Sequence, residues 1–538
     1  MEISQYVEIP NGSRAVKANY KKQVVDEYNG NPFVEALPPI MTPREVVQAI
    51  SSVPIFSEEE RFLDSNIRFH LIQRLFHFFM PLPIHLDLES SISRIIRQSY
   101  VKRNPLSPNF ARQFYQSANI HHTQYLNSST ANSLVIIGPS GVGKSSTINR
   151  ILHLYPQVIS HTEYRGMHFN QYQVVWLKIE CSHDGSIKGI VSAFFRKIDE
   201  ILGTNYFDKY IKHSRYSVNA LLPVMAQVAK NCGLGLLVVD EIQNLKSASS
   251  GGAEKMMNFF VNLINEFSLP IVLIGTPSSL GIFQNQFRAA RRGAGQGNFF
   301  WNRMEKDEYW DLFVQKIWQY QWVRYPNPLS NEINNVLYEE SQGIPDILIK
   351  LFVMSQIRAI SSGQEQITAT IIRSVAKEKF GLLQPMMRAL KSGDLHKIAQ
   401  VEDVYIPDID DFITNESKKI ELKEIIESTK NVQHQHKSNL NIDLIKQEVL
   451  LRLKVLGIDG QKVDSYLCGL LQNNPDVSDI QQLVQKVLRM WMKESGEVQV
   501  DNNEKEDKDI RNLLRSSQTK QDIQATLDNN GYIKKDFL

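Results

Sequence analysis

The sequence predicts an α/β chain, in which a parallel sheet wound with helices follows an N-terminal extension and precedes a helical lid. Two observations predict it. Short apolar runs at residues 134–137, 174–179, 236–239 and 271–274 alternate with stretches of helical periodicity. Continuous β-branched runs of that length suit strands buried on both faces, with the intervening helices as crossovers. The first run also passes straight into Gly138-Pro139-Ser140-Gly141-Val142-Gly143-Lys144-Ser145, a glycine-rich loop of the kind that joins a strand to a phosphate-binding helix.

At 538 residues the chain is too long for one core, and three or four substructures are expected. Its 42% hydrophobic and 22% charged residues are those of a soluble globular protein. A net charge of +2 does not announce a nucleic-acid binder, although a neutral total leaves room for a basic stripe. Cys181, Cys232 and Cys468 form no metal-binding pattern. The N-terminus has no signal-peptide layout, and no apolar run approaches the roughly 20 residues that span a bilayer. The expected location is cytoplasmic, with no membrane contact.

Taken in order, residues 1–120 read as an extension of Pro-punctuated coil and short amphipathic helices. Within it, residues 62–79 read as a helix with Phe62, Ile67, Leu71, Leu75 and Phe78 on one face. Residues 121–310 read as the nucleotide-binding core and residues 311–395 as the helical lid, punctuated by Gly343-Ile344-Pro345. Residues 396–440 are acidic and then densely charged, which reads as a linker passing into solvated helix. Residues 441–538 read as a small, mostly helical C-terminal region with Leu450, Leu453, Leu456, Leu467, Leu470 and Leu471 as its core.

The loop chemistry follows from its residues. Gly138, Gly141 and Gly143 let backbone N–H groups turn toward an anion without Cβ clashes, and the helix opening near Lys144 adds its dipole. Pro139, Ser140 and Val142 complete the cradle. Lys144 suits contact with the β- and γ-phosphates of ATP, and the Ser145 hydroxyl suits Mg²⁺, with Ser146 following in the same helix. The run 236–239 ends in Asp240-Glu241, which places one acid to hold the metal through water and the next to polarise the attacking water. Thr276, at the end of the run 271–274, reaches the γ-phosphate or that water if its strand lies between the other two. Arg288, Arg291 and Arg292 form a basic cluster whose permanent, forked charges suit a γ-phosphate across a subunit boundary. Sequence alone does not rank the three.

With these motifs in place the chain resembles the AAA+ ATPases. More narrowly it resembles the TnsC family, the transposition regulators of heteromeric bacterial transposons. The general likeness lies in the phosphate loop, in Leu236-Leu237-Val238-Val239-Asp240-Glu241 and in Ile274-Gly275-Thr276-Pro277. The narrower one lies in Asn31-Pro32-Phe33-Val34-Glu35-Ala36-Leu37-Pro38-Pro39 and in Ile96-Arg97-Gln98-Ser99-Tyr100-Val101-Lys102-Arg103-Asn104-Pro105. The resemblance implies a bacterial protein that forms ATP- and DNA-dependent homo-oligomeric rings or filaments on double-stranded DNA. It implies links to a target-selection protein and to transposase subunits, with hydrolysis controlling assembly and release. It makes Thr276 a γ-phosphate sensor and one of Arg288, Arg291 and Arg292 a finger reaching the neighbouring subunit. It also places Lys178 and Lys188 where DNA phosphates are contacted. One departure is visible: many AAA+ lids carry an arginine after the Gly-x-Pro-type turn, whereas here Gly343-Ile344-Pro345-Asp346 is followed by Lys350. A replication initiator or helicase loader, or a nucleotide-gated scaffold, are the alternative functions.

Overall fold

The computed structural model describes residues 6–9, 13–101, 103–108, 133–182, 184–212, 216–247, 252–265, 268–279, 295–393, 397, 409–420, 448–453, 466, 470 and 480–494. The chain forms two compact units, Met1–Leu422 and Lys423–Leu538. The first contains strands β1 (Tyr6–Glu8), β2 (Arg14–Lys17), β3 (Ser133–Ile137), β4 (Val158–Tyr164), β5 (Met167–Val174), β6 (Trp176–Glu180), β7 (Leu236–Asp240), β8 (Ile271–Gly275) and β9 (Gly295–Phe300).

The main sheet has the order β6-β7-β8-β3-β9, and every pairing in it is parallel. β8 therefore lies between the strand that feeds the phosphate loop and the strand that ends in Asp240. All residues of β7 and β8 are buried, as a doubly covered parallel sheet requires. Alternate residues face opposite layers. Leu237, Val239, Ile271 and Leu273 pack on helices Ile187–Leu202, Val218–Asn231 and Gly252–Asn265. Leu236, Val238, Val272 and Ile274 meet the phosphate-loop helix Lys144–Leu152 and the long N-terminal helix Pro83–Val101.

Two parts of the sheet system depart from the sequence pattern. The apolar run 174–179 is not one strand, because Val174 closes β5 and Trp176 opens β6. Val175 crosses between the sheets, its N–H donating to Gln157 O at 2.9 Å. The fifth strand, β9, has the sequence Gly295-Gln296-Gly297-Asn298-Phe299-Phe300, which has too little apolar and β-branched character to read as a strand. It lies at the edge of the described sheet, where it pairs with β3.

A smaller sheet, β1-β2-β4-β5, draws the N-terminal segment into the fold. β4 and β5 form a hairpin whose turn, Arg165-Gly166, has positive φ at both positions (50° and 80°), matching the twist of the strands. β2 then adds to β4 in parallel, so residues read as coil become strand through a partner some 140 positions away in the chain.

Residues 62–79 are not one helix. A 3-10 turn, Glu58–Phe62, precedes helix Ser65–Ile72, and a second 3-10 turn, Gln73–His77, follows. Extended backbone at Leu63 and Asp64 resets the phase, so the buried face is Phe69, Ile72, Leu75 and Phe78. Phe62 and Ile67, expected on that face, are 72% and 46% exposed.

That face packs on the lid, which comprises helices Glu308–Trp318, Asn331–Ser341, Pro345–Ser362, Ala369–Lys379 and Gln384–Ser392. Residues 409–420, within the stretch read as a linker passing into solvated helix, are helical. Phe412 is buried against the lid, and Glu416 pairs with Arg358 at 3.1 Å. Charge density hid an apolar face there, with Ile409, Ile413 and Ile420 packed partly against the lid beside Phe412. In the second unit, Val449, Leu453, Leu483 and Val487 form a small core, with Leu450 and Leu470 packed partly against it. Leu456, Leu467 and Leu471 lie outside the described residues.

Candidate nucleotide site

β3 stops at Ile137, and the chain turns through Gly138–Gly143 into helix Lys144–Leu152. Gly141 and Gly143 have φ of +82° and +98°, and Gly143 caps the helix in the left-handed region that other residues avoid. Gly138 is required for a different reason. A Cβ there would lie 2.2 Å from the Trp301 carbonyl oxygen, where the chain leaving β9 crosses the loop. The loop thus presents backbone N–H groups at a helix N-terminus, a geometry that attracts anions. Lys144 is 8% exposed, and its ammonium donates to Gly138 O (2.7 Å) and Pro139 O (2.8 Å) inside the loop. Pro139, Ser140 and Ser145 are half-buried around it, Val142 is buried, and Ser146 is exposed.

Asp240 ends β7 opposite Glu180 of β6. It is 4% exposed; Oδ2 lies 3.0 Å from the Lys178 ammonium, and Oδ1 accepts the Glu241 N–H at 3.0 Å. Glu241 itself has φ +58°, an uncommon conformation for a residue with a side chain, and one that cuts the strand short. Gln243, in the 3-10 turn Ile242–Ser247, donates its amide N–H to Glu241 Oε2 and accepts the Thr276 N–H on Oε1 at 3.2 Å. Thr276 Oγ1 lies 2.9 Å from Ser278 Oγ, and the Gly138 N–H donates to Gly275 O at 3.2 Å. The exits of β3, β7 and β8 are therefore joined at one edge of the sheet. Gln243 was invisible to motif reading, since its role arises from a turn that folds it back between two strands. Beside it, Cys181 is pushed up to about 12 by burial and by the carboxylates of Asp184 and Glu241, so its thiol stays protonated at neutral pH.

The lid reaches the same loop. The Asp346 N–H donates to Gly141 O at 3.2 Å, and a Cβ on Gly141 would lie 2.9 Å from Ile344 Cγ2. Lys350, one turn on, pairs with Asp346 Oδ2 at 2.8 Å. The lysine that stands where many lids have an arginine is thus held by a carboxylate of its own helix.

The remaining expected residues are spread out. Lys188 is exposed in the first turn of helix Ile187–Leu202. Lys178 is half-buried, and its ammonium is engaged by Asp240 and by Asn149 Oδ1 at 2.9 Å. Its surroundings are those of the acid at the end of β7, which the spacing of the sequence did not reveal. Arg288, Arg291 and Arg292 lie outside the described residues.

Residues 126–283 match the family model of an AAA domain. This chain carries an AAA domain. The AAA sheet continues beyond the matched residues with β9, and the helical lid follows it. Among solved structures, the chain is similar to Cdc6p from Pyrobaculum aerophilum, at 17% identity over 50% of this chain and 67% of that one, with a TM-score of 0.34. It is also similar to the ORC1 protein of Aeropyrum pernix in complex with DNA, at 14% identity over 53% and 68% of the two chains, with a TM-score of 0.32. A third is the Walker-type ATPase of Pyrococcus abyssi, at 14% identity over 70% and 95%, with a TM-score of 0.28. No curated protein matches the chain.

An AAA ATPase fold implies nucleotide binding, for which Mg²⁺ is the usual companion. The oxygens of Ser145 and Asp240 fit such a hard cation. The ammonium held against Asp240 shows that this carboxylate already attracts positive charge. Among the described residues no cluster of three His, Cys, Asp or Glu side chains is found. No helix among the described residues is long and apolar enough to cross a membrane.

Proposed function

We propose that this chain is an ATP-hydrolysing regulator of DNA transposition. In this reading it assembles as a homo-oligomeric ring or filament on double-stranded DNA and links a target-selection protein to the transposase. The observation that carries the enzymatic half is the junction of the phosphate loop, Asp240-Glu241, Thr276 and the lid turn at one edge of the sheet. The half concerning DNA and partners is supported by the resemblance of the N-terminal segments to TnsC-type regulators.

In this reading Lys144 exchanges the carbonyls of Gly138 and Pro139 for phosphate oxygens, and the loop N–H groups take the remaining charge. Ser145 and Asp240 would hold Mg²⁺, whose charge would offset that of the phosphates. Glu241 takes a proton from the attacking water, Thr276 senses the γ-phosphate, and one of Arg288, Arg291 and Arg292 completes the site of a neighbouring subunit. The lid turn at Ile344–Asp346 touches the loop directly, so occupancy of the loop is felt by the lid.

Glu241→Gln is expected to bind ATP as the unaltered chain does and to lose hydrolysis by about 10²- to 10⁴-fold. Unchanged turnover would remove Glu241 from the chemistry. Electron microscopy with a non-hydrolysable ATP analogue tests the assembly, with rings or filaments expected only when duplex DNA is also present. Assembly that needs neither ATP nor DNA overturns the matchmaker reading in favour of a scaffold.

A further inference from the structure

Asp240 poses an electrostatic problem before any cation arrives. Its side chain is 5% exposed, and an ionised carboxylate at that depth is costly unless paired. Lys178 solves it from the neighbouring strand. The two residues project from the same face of the sheet, one on β6 and one on β7, and the ammonium sits 3.0 Å from Oδ2. The same ammonium donates to Asn149 Oδ1 on the phosphate-loop helix at 2.9 Å. One lysine thus ties together β6, the acid that ends β7, and the helix that follows the loop.

We propose that Lys178 is a resident counter-ion that occupies Asp240 until a divalent cation displaces it. The inference rests on the reading of Asp240 as a magnesium-holding residue. Two cations on one carboxylate repel, so the ion and the ammonium hold Asp240 in turn. The displaced side chain has somewhere to go. Lys178 lines a cavity of about 540 Å³ together with Arg14, Asn149, Trp176 and Glu180. Glu180 lies two residues along the same strand face, is exposed, and offers a carboxylate to the freed ammonium. Arrival of the cation also removes the lysine from Asn149, which releases the phosphate-loop helix from β6. The lysine therefore stabilises the empty site and weakens its hold on the metal.

These two effects have opposite signs, which separates them from a purely structural role. The test is titration of the full chain with a fluorescent ATP analogue at a series of Mg²⁺ concentrations, together with thermal melts in EDTA. Lys178→Met is expected to lower the melting temperature without nucleotide. It should also lower the Mg²⁺ concentration for half-maximal binding by about tenfold, because the competitor is gone. Lys178→Arg, which keeps the charge, should need the Mg²⁺ concentration of the unaltered chain. Should Lys178→Met fail to fold, Asn149→Ala serves, since Asn149 is exposed and its loss only loosens the lysine. There the half-maximal Mg²⁺ concentration should fall about two- to threefold. An Mg²⁺ requirement that is unchanged or raised in Lys178→Met, or in Asn149→Ala where that variant replaces it, overturns the counter-ion. Failure of the unaltered chain to bind the analogue at any Mg²⁺ concentration is a different result, and it overturns the nucleotide-site reading itself.

Discussion

Glu241 leaves its strand with φ +58°, a conformation that costs a non-glycine residue on the order of 1 kcal/mol or more. Its holding contacts include the Asp240 carboxylate on its N–H, the Gln243 amide on its carboxylate, and the Asn244 N–H on its carbonyl. Gln243 also takes the Thr276 N–H, so its amide fixes the distance between the acid that ends β7 and the exit of β8. Gln243→Ala should therefore lower kcat for ATP by about tenfold with KM little changed, the pattern of a group that positions Glu241 for the reaction. Steady-state kinetics decide it, since a rise in KM at constant kcat would give Gln243 a role in binding instead. The phosphate loop, Asp240 and Glu241 were legible because their spacing is set by one strand–loop–helix unit and one strand end. The partners of Gln243 and Lys178 were not, because each touches residues brought close only by strand order.

Among the elements, the N-terminal helix Ser65–Ile72 is the clearest case of one that acts at a distance from its place in the chain. Its Arg68 is buried and makes two bonds to Glu365 of the lid, at 2.8 and 2.7 Å, and a third to Trp322 O at 3.0 Å. Nearby, Arg61 donates to Gln321 O at 2.9 Å, and the Trp322 indole donates to Glu60 at 2.8 Å. The same N-terminal segment meets the phosphate-loop helix, where the Arg150 guanidinium lies 4.5 Å from the centre of the Phe79 ring. It thus touches both the lid and the helix that follows the nucleotide loop. Arg68→Ala leaves Glu365 with a buried, half-paired charge and should cost about 3–5 kcal/mol in urea unfolding, with the lid opened to protease. Arg68→Lys should recover little, because an ammonium does not reproduce the two-pronged contact. A loss under 1 kcal/mol for Arg68→Ala would show that the lid does not depend on this clamp. The amphipathic pattern of residues 62–79 announced a packed face, but Leu63 and Asp64 reset its phase, and the lid selected which residues it buries.

At the scale of the whole molecule, two buried histidines make the first unit sensitive to mild acid. Burial lowers both His85 and His161 to about 4. The Nδ1 of His85 accepts the Leu82 N–H at 2.7 Å, and His161 lies between the Tyr20 hydroxyl at 2.8 Å and Gln173 Oε1 at 2.9 Å. The unfolded chain binds these protons near pH 6.5, whereas the folded chain resists them until about pH 4. Their contribution is therefore complete above pH 6.5 and is lost as pH falls from 6.5 toward 4. Thermal melts between pH 7.5 and 5 should show a falling melting temperature, and the double variant His85→Gln, His161→Gln should flatten that slope. An equal slope in the variant would assign the acid sensitivity to other groups. The sequence by itself determined the parallel sheet, the loop that ends β3 and the acids that end β7, because each is written in consecutive residues whose periodicity and φ requirements are local. The tertiary structure alone decided where β8 stands, that a glycine-rich segment becomes β9, that residues near the N-terminus become β2, and that Lys178 belongs to Asp240. Those outcomes depend on contacts between distant parts of the chain, where hydrogen bonding and burial override local preference.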